Sequence, residues 1–129
     1  MRREFNLPED DEGSLNALGL PWETIKDGTR LWVILNDFPV SGGFTVEKSS
    51  VAIEIPPNYP SAGLDMAYFL PHLQRKDGQA IRQTEYRQSI VSQSWQRWSR
   101  HYSWKPGQHN LGTHIVLINR WLEAALGKN

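Results

Sequence analysis

The chain of 129 residues contains no cysteine. This absence excludes disulfide bonds, zinc–thiolate and iron–sulfur sites, and every mechanism that uses a thiol nucleophile. Long apolar runs are also lacking, since no stretch approaches the roughly 18 residues that a membrane-spanning helix needs. The N-terminus carries charged residues in place of an apolar secretory signal. We therefore expect a single cytoplasmic domain over residues 1–129, with no membrane association.

The chain has no excess of charge of one sign, because 14 Lys and Arg balance 14 Asp and Glu. The distribution is uneven: residues 1–74 carry 5 basic and 11 acidic side chains, whereas residues 75–105 carry 7 basic and 2 acidic ones. A balanced total lacks the long-range field that draws a protein onto nucleic acid or an anionic membrane. Any electrostatic function must therefore be local, and residues 75–105 are its candidate location.

The first half of the chain has the pattern of one helix followed by four strands. Acidic side chains after Pro8 and a stop at Gly19 predict an N-terminal helix. Beyond it, apolar residues alternate with polar ones between turn and proline residues, which predicts a four-stranded antiparallel meander. The predicted strands cover residues 22–26, 29–35, 51–55 and 64–70.

The second half contains a long polar segment and then a helix. Residues 71–106 are basic and rich in Trp, Tyr, Gln and Ser without a sustained period, which predicts a long ordered loop of functional importance. Apolar residues at helical spacing follow a cap at Asn110 or Thr113 and predict a C-terminal helix packed on the sheet. These residues are Leu111, Ile115, Ile118, Leu122 and Ala125. The fold class is therefore α+β.

Five short motifs occur in order along the chain, at residues 7–11, 18–23, 55–60, 95–101 and 104–106. The third, Ile-Pro-Pro-Asn-Tyr-Pro, resembles the corner after the third strand of ubiquitin-conjugating (UBC) domains. The last, Trp-Lys-Pro, resembles their Trp-x-Pro element. Over about residues 6–126 the chain thus resembles the UBC fold, and more narrowly the prokaryotic UBC-like family found beside ubiquitin-like proteins in bacteria.

The chain departs from that family at the position of the catalytic residue. The resemblance implies a cysteine between a His-Pro-Asn motif and Trp-x-Pro. Here Pro71-His72-Leu73 is a reversed motif without the Asn, and residues 77–81 resemble the segment before the cysteine, but Arg82 follows. A thioester cannot form on this chain, so a hydroxyl that forms an oxyester is the expected substitute.

Six hydroxyl groups lie in the predicted active-site loop. A serine is not ionised at neutral pH and needs a base, for which histidine is best suited. Ser99 has His101 two residues away, and the two would share one face of an extended chain. We therefore predict Ser99 as the nucleophile and His101 as its base. The six hydroxyls belong to Thr84, Ser89, Ser92, Ser94, Ser99 and Ser103, of which Ser94 and Thr84 remain alternatives.

Arg97 and Arg100 flank the same serine. A planar guanidinium can donate two hydrogen bonds, so we predict that both bind the tail of a ubiquitin-like protein and stabilise the oxyanion. The bland alternative is that they bridge carboxylates of the acidic first half. Trp95 and Trp98, three residues apart, would then pack one face of a helical turn while Ser99 has no catalytic role.

The resemblance implies a bacterial conjugating enzyme that accepts a ubiquitin-like protein from a ThiF-like activating enzyme and transfers it to a target. ATP would be used by that partner, so no cofactor is expected here, and a deconjugating peptidase is a further candidate partner. The alternative is a non-catalytic adaptor that binds the ubiquitin-like protein or the activating enzyme. A nucleic-acid module ranks last because no motif supports it. The four histidines show no recurrent ligand spacing, so no metal is expected.

Overall fold

The computed structural model describes residues 1–40 and 42–127, in which two helices lie against one curled antiparallel sheet of six strands. Lys128 and Asn129, the last two residues of the predicted domain, lie outside the described residues. The order of the sheet is β1-β2-β3-β4-β6-β5. The elements are α1 (Glu9–Leu18), β1 (Trp22–Asp27), β2 (Arg30–Pro39), β3 (Lys48–Ile55), β4 (Ala67–Leu70), β5 (Arg87–Ile90), β6 (Gln93–Trp98) and α2 (Leu111–Ala125).

Both predicted helices are confirmed. Helix α1 has four acidic residues in its first turn and ends at Gly19, whose φ of 72° is left-handed and suits glycine. Helix α2 is preceded by its N-cap Asn110, which forms a reciprocal capping box with Thr113. Its buried residues follow the predicted apolar stripe, and His114 is buried beside them.

The predicted meander is confirmed for β1 to β4, which neighbour one another in sequence order. Asp27 pairs with Arg30 across the first turn, where Gly28 has a φ of 62°. The fourth strand is shorter than predicted and begins at Ala67. Met66, with a φ of 57°, interrupts the extended backbone before it, although Leu64 is buried in the core as an apolar strand residue would be.

The predicted loop over residues 71–106 is wrong in part, because it contains the hairpin of β5 and β6. The turn of this hairpin lies at Val91 and Ser92, whose φ angles of 47° and 66° are usually adopted by Gly or Asn. Gln96 occupies a buried position on β6, where its side chain bonds both backbone groups of Leu73 at 2.9 and 3.1 Å. The sequence therefore lacks the usual signs of a hairpin, because the turn contains no glycine and a buried position of β6 carries an amide in place of an apolar side chain.

The two tryptophans of β6 lie on opposite faces of the sheet, as residues three apart on a strand must. They do not share a helical turn. Trp98 packs in the main core between the sheet and the helices, at 5.3 Å from the ring of Phe69. Trp95 belongs to a second apolar cluster on the other face, with Trp32 and Tyr68. The sheet therefore has an apolar cluster on each face.

Curling of the sheet brings the tip of the β5–β6 hairpin to the turn between β1 and β2. The backbone N–H of Val91 donates to Asp27 Oδ2 at 2.9 Å, across 64 residues of sequence. Ile90, next to Val91, belongs to the second cluster together with Ile25.

One buried carboxylate joins the helices to the proline-rich corner after β3. Asp11 of α1 accepts a hydrogen bond from the Tyr59 hydroxyl at 2.6 Å and another from the backbone N–H of Leu111 at 3.2 Å. Burial and the neighbouring Asp11 raise the pKa of Tyr59, which therefore stays protonated as a donor. Within residues 1–40 and 42–127, neither helix is long and apolar enough to cross a membrane.

Candidate active site

Ser99 is the residue directly after β6, and its side chain contacts a cation. The Nε of Arg97 donates to Ser99 Oγ at 3.0 Å, while the backbone N–H of Ser99 donates to Gln83 O at 3.0 Å. A guanidinium beside a hydroxyl favours the negatively charged form of that oxygen. The hydroxyl proton of Ser99 stays available, because Oγ is the acceptor in the one side-chain hydrogen bond that the described residues give it.

Arg97 is itself held in place by Tyr86. Its guanidinium carbon lies 3.9 Å from the centre of the Tyr86 ring, and its backbone N–H donates to Tyr86 O at 3.0 Å. Stacking on an aromatic ring leaves the edge of a guanidinium free to donate hydrogen bonds. Tyr86 therefore fixes the position from which Arg97 contacts Ser99.

His101 is oriented by a carboxylate on the loop before β4. Its Nδ1 lies 3.0 Å from Asp65 Oδ2, and the two side chains are 65% and 46% exposed. Among residues 1–40 and 42–127, no hydrogen bond joins His101 to Ser99, and His101 Nε2 has no partner. A carboxylate on one ring nitrogen with the other left free is the usual arrangement of a general base. Each of the two predicted catalytic residues has a hydrogen-bond partner, but within the described residues they form no hydrogen bond with each other.

Arg100 lies against Arg82, which sequence reasoning noted only as the residue in the cysteine position. The Nη1 of Arg100 donates to Arg82 O at 3.1 Å and to Ser99 O at 3.0 Å. Its guanidinium carbon is 5.0 Å from the ring centre of Trp98. Burial, and then the charge of Arg82, lower the pKa of Arg100. Two cations therefore lie close together beside the candidate nucleophile.

These residues line a cleft of about 410 Å³ between the end of β6 and the end of α2. Ser99, Arg82 and Arg100 form one side, and Trp121 of α2 forms another. At this cleft, residues 80–83 pass the C-terminal turn of α2. The helix, which is distant from β6 in sequence, therefore completes the cleft. Arg97 is not among its lining residues and reaches it only through Ser99.

The family model of Prokaryotic E2 family E matches residues 7–125. The chain belongs to this family. Neither a curated protein nor a solved structure matches the chain. Membership supports the resemblance seen in the sequence and a role of the conjugating-enzyme type.

The other candidate hydroxyls of this E2-family chain lie in settings that differ from that of Ser99. Ser94 is exposed on β6 and pairs with Ser89 across the hairpin. Thr84 is 8% exposed, and its Oγ1 donates to Ile81 O at 2.8 Å, which commits its proton. Ser92 lies in the hairpin turn. None of these four hydroxyl residues, nor Ser103, lines the cleft that contains Ser99.

The remaining histidines have structural partners. His114 is fully buried, bonds Met66 O through Nε2 at 2.8 Å, and faces the Tyr102 hydroxyl through Nδ1 at 2.7 Å. Burial lowers the pKa of His114 to about 4, so the ring is neutral and Nδ1 accepts from Tyr102. His72 Nε2 lies 2.9 Å from Ser94 O. In the part of the chain that the structure describes, no group of three or more His, Asp or Glu residues could hold a metal ion.

Proposed function

We propose that this E2-family protein accepts the C-terminal acyl group of a ubiquitin-like protein as an ester on Ser99 and transfers it to a target. A ThiF-like activating enzyme would supply the acyl group in activated form and would use the ATP. The chain itself needs no cofactor in this scheme. The proposal also includes a deconjugating peptidase as a further partner and a cytoplasmic location.

The proposed step is an acyl transfer to oxygen. Ser99 Oγ attacks the activated carbonyl carbon, a C–O bond forms, and the bond from that carbon to the activating group breaks with its electron pair on the leaving group. The Ser99 proton goes to a base, for which His101 Nε2 is proposed. Hydrogen bonds between catalytic groups often shorten only when substrate is bound, so the separate partners of Ser99 and His101 are compatible with this role.

The observation that carries the proposal is the setting of Ser99. Of the six candidate hydroxyls, it alone lines the cleft and accepts a hydrogen bond from an arginine, Arg97. Arg97 and Arg100 are proposed to stabilise the oxyanion that forms during attack, as preorganised cationic donors do in acyl transfer.

A non-catalytic adaptor is the alternative function. Two observations favour it: Arg82 occupies the position where the family resemblance has the cysteine, and Asp65 rather than Ser99 binds His101. An adaptor would use the same cleft to bind the ubiquitin-like protein without forming a bond.

A reconstitution separates the two functions. The protein is incubated with its cognate ubiquitin-like protein, the activating enzyme and ATP, and covalent adducts are followed by denaturing gel and mass spectrometry. If the protein carries the acyl group as an ester, an adduct should form that survives thiol reductant and is cleaved by hydroxylamine or base. Non-covalent binding without any adduct would support the adaptor function and reject the acyl transfer.

Two serine variants then test the site. Ser99→Ala should abolish the adduct, whereas Ser94→Ala should leave it unchanged, because Ser94 lies on the exposed strand surface away from the cleft. Loss of the adduct in Ser94→Ala and its persistence in Ser99→Ala would overturn the assignment.

A further inference from the structure

The cleft beside Ser99 contains two arginines whose charge is not neutralised. Arg75 at its edge is paired with Asp77 and donates to Ala125 O at 2.8 Å. Arg82 and Arg100, by contrast, have no carboxylate within 4.0 Å in residues 1–40 and 42–127. Because Arg100 is also partly desolvated, keeping it beside Arg82 is unfavourable until an anion arrives.

The free donors of Arg100 have a definite geometry. Its Nη1 is committed to the carbonyl oxygens of Arg82 and Ser99. Its Nε and Nη2 form no hydrogen bond with the described residues, so one edge of the fork is available. Two parallel N–H donors on such an edge match the two oxygens of a carboxylate.

Apart from Arg75, Gln83 and Ser99, the rest of the cleft lining is apolar. Ile81 is 8% exposed and Trp121 is half-buried, and both line the cleft together with Ala124 of α2. A ligand that uses the whole cleft therefore presents an apolar group next to its negative charge.

We infer that the cleft binds a carboxylate standing beside an apolar side chain in an extended peptide, with Arg82 and Arg100 as its cationic partners. That the peptide is the tail of the ubiquitin-like protein rests on the proposed function, whereas the chemistry of the ligand does not. Arg82 would thus bind the partner at the position where the resemblance to UBC domains implies a cysteine.

The test uses short peptides and the full chain, followed by ¹⁵N NMR titration of the backbone and indole signals at low salt. N-acetyl-leucyl-glycine supplies a terminal carboxylate, N-acetyl-leucyl-aspartate amide supplies a side-chain carboxylate, and N-acetyl-leucyl-glycinamide is the uncharged control. We expect at least one acid to shift the Trp121 indole and the Arg82 and Arg100 amides, and the glycinamide to shift none of them. The acid that binds identifies the source of the carboxylate.

Charge variants locate the site. Arg82→Gln should weaken binding of the acid by about fivefold or more, the loss expected for one exposed charge-assisted pair. Arg120→Gln removes the same charge from an exposed position of α2 outside the cleft and should have little effect. Arg100→Gln should also weaken binding, and Arg82→Gln keeps the test decisive if Arg100→Gln fails to fold.

The inference falls if the glycinamide binds as well as the acids, if Arg82→Gln and Arg120→Gln have equal effects, or if inorganic phosphate shifts these signals while neither acid does. If the protein binds an acid but forms no adduct, the proposed acyl transfer is rejected and the carboxylate site is supported. If an adduct forms on Ser99 but neither acid binds, the carboxylate site is rejected and the acyl transfer is supported.

Discussion

The N-terminal half of the molecule and residues 71–106 differ in the partners of their arginine side chains. In the first half, Arg2 pairs with Glu4 in an exposed ion pair, and Arg30 pairs with Glu54 in a partly buried one. In the second region, Arg75 still pairs with Asp77. Among the described residues, however, Arg97 and Arg100 contact aromatic rings, backbone carbonyls and a hydroxyl instead of carboxylates.

This difference separates folding from function. The first half is held by apolar alternation and by a buried carboxylate, Asp11, whose hydrogen bonds are satisfied. Residues 71–106 leave cations without a counter-ion beside a hydroxyl, which stabilises the fold little and prepares a site for an anion. Such departures from local charge balance are common at functional sites.

The largest expected effect tests whether the basic region is nonetheless part of the core. Trp98 is fully buried and donates to Gln96 Oε1 at 3.0 Å. Trp98→Ala should lower the free energy of unfolding by about 4 kcal/mol, as loss of a large buried side chain does. Urea denaturation measures it. Tyr86→Ala, an exposed aromatic in the same region, should cost less than about 1 kcal/mol; equal costs would mean that the hairpin is not anchored through Trp98.

The next effect tests the first half. Asp11→Ala removes the acceptor of Tyr59 and of the Leu111 N–H, and should lower the free energy of unfolding by about 3 kcal/mol. Asp11→Asn keeps an acceptor and should cost less. Asp10→Ala, an exposed neighbour on the same helical turn, should change stability by no more than about 0.5 kcal/mol. A loss in Asp10→Ala as large as that in Asp11→Ala would point to the helix dipole instead of the buried junction.

His114 predicts a pH-dependent effect in the contact between α2 and the loop before β4. Unfolded, its pKa is about 6.5, while burial lowers the folded pKa to about 4. Its contribution is therefore complete above pH 6.5 and is lost as the pH falls towards 4, reaching a loss of about 2.5 kcal/mol at pH 4.5. His114→Gln, whose amide can still donate to Met66 O, should lack this part of the pH dependence in denaturation series. Parallel pH profiles for the two proteins would contradict the prediction.

The smallest effect on stability belongs to the exposed pair of Asp65 and His101. Asp65→Asn should change the free energy of unfolding by less than about 0.5 kcal/mol, because exposed ion pairs contribute little. If Asp65 orients a catalytic base, the same variant should slow adduct formation about tenfold, and His101→Gln should slow it about a hundredfold. Initial rates of adduct formation measure both. Unchanged rates would assign the pair to the surface rather than to the reaction.

The sequence predicted the elements whose residues alternate or repeat with a clear period. Helix α2 follows its apolar stripe, and β1 to β4 follow theirs. The hairpin of β5 and β6 was missed because Val91 and Ser92 form its turn without glycine and because Gln96 is buried among apolar residues. Both choices depend on distant partners, Asp27 and Leu73, that local patterns do not contain.

The site residues stay a prediction, and the structure adds their arrangement. Ser99, Arg97 and Arg100 were chosen because they are close in sequence, and in the structure Arg97 Nε donates to Ser99 Oγ. Arg82 was noted only as the replacement of a cysteine, since nothing local indicates that it lies beside Arg100. The expected contact of Ser99 with His101 is not formed, because Asp65 binds the imidazole.

By itself, the sequence determined that no thiol chemistry is available, that the fold is α+β, and that the motifs are those of an E2-type family. Composition and short-range periodicity carry this information, so no three-dimensional contact is needed to read it. Only the tertiary structure decided which polar groups meet. Asp65 and His101 are 36 residues apart, and Arg82 and Arg100 are 18 apart. Curling of the sheet and packing of α2 bring such pairs together, and hydrogen-bond geometry then selects the partner of each side chain.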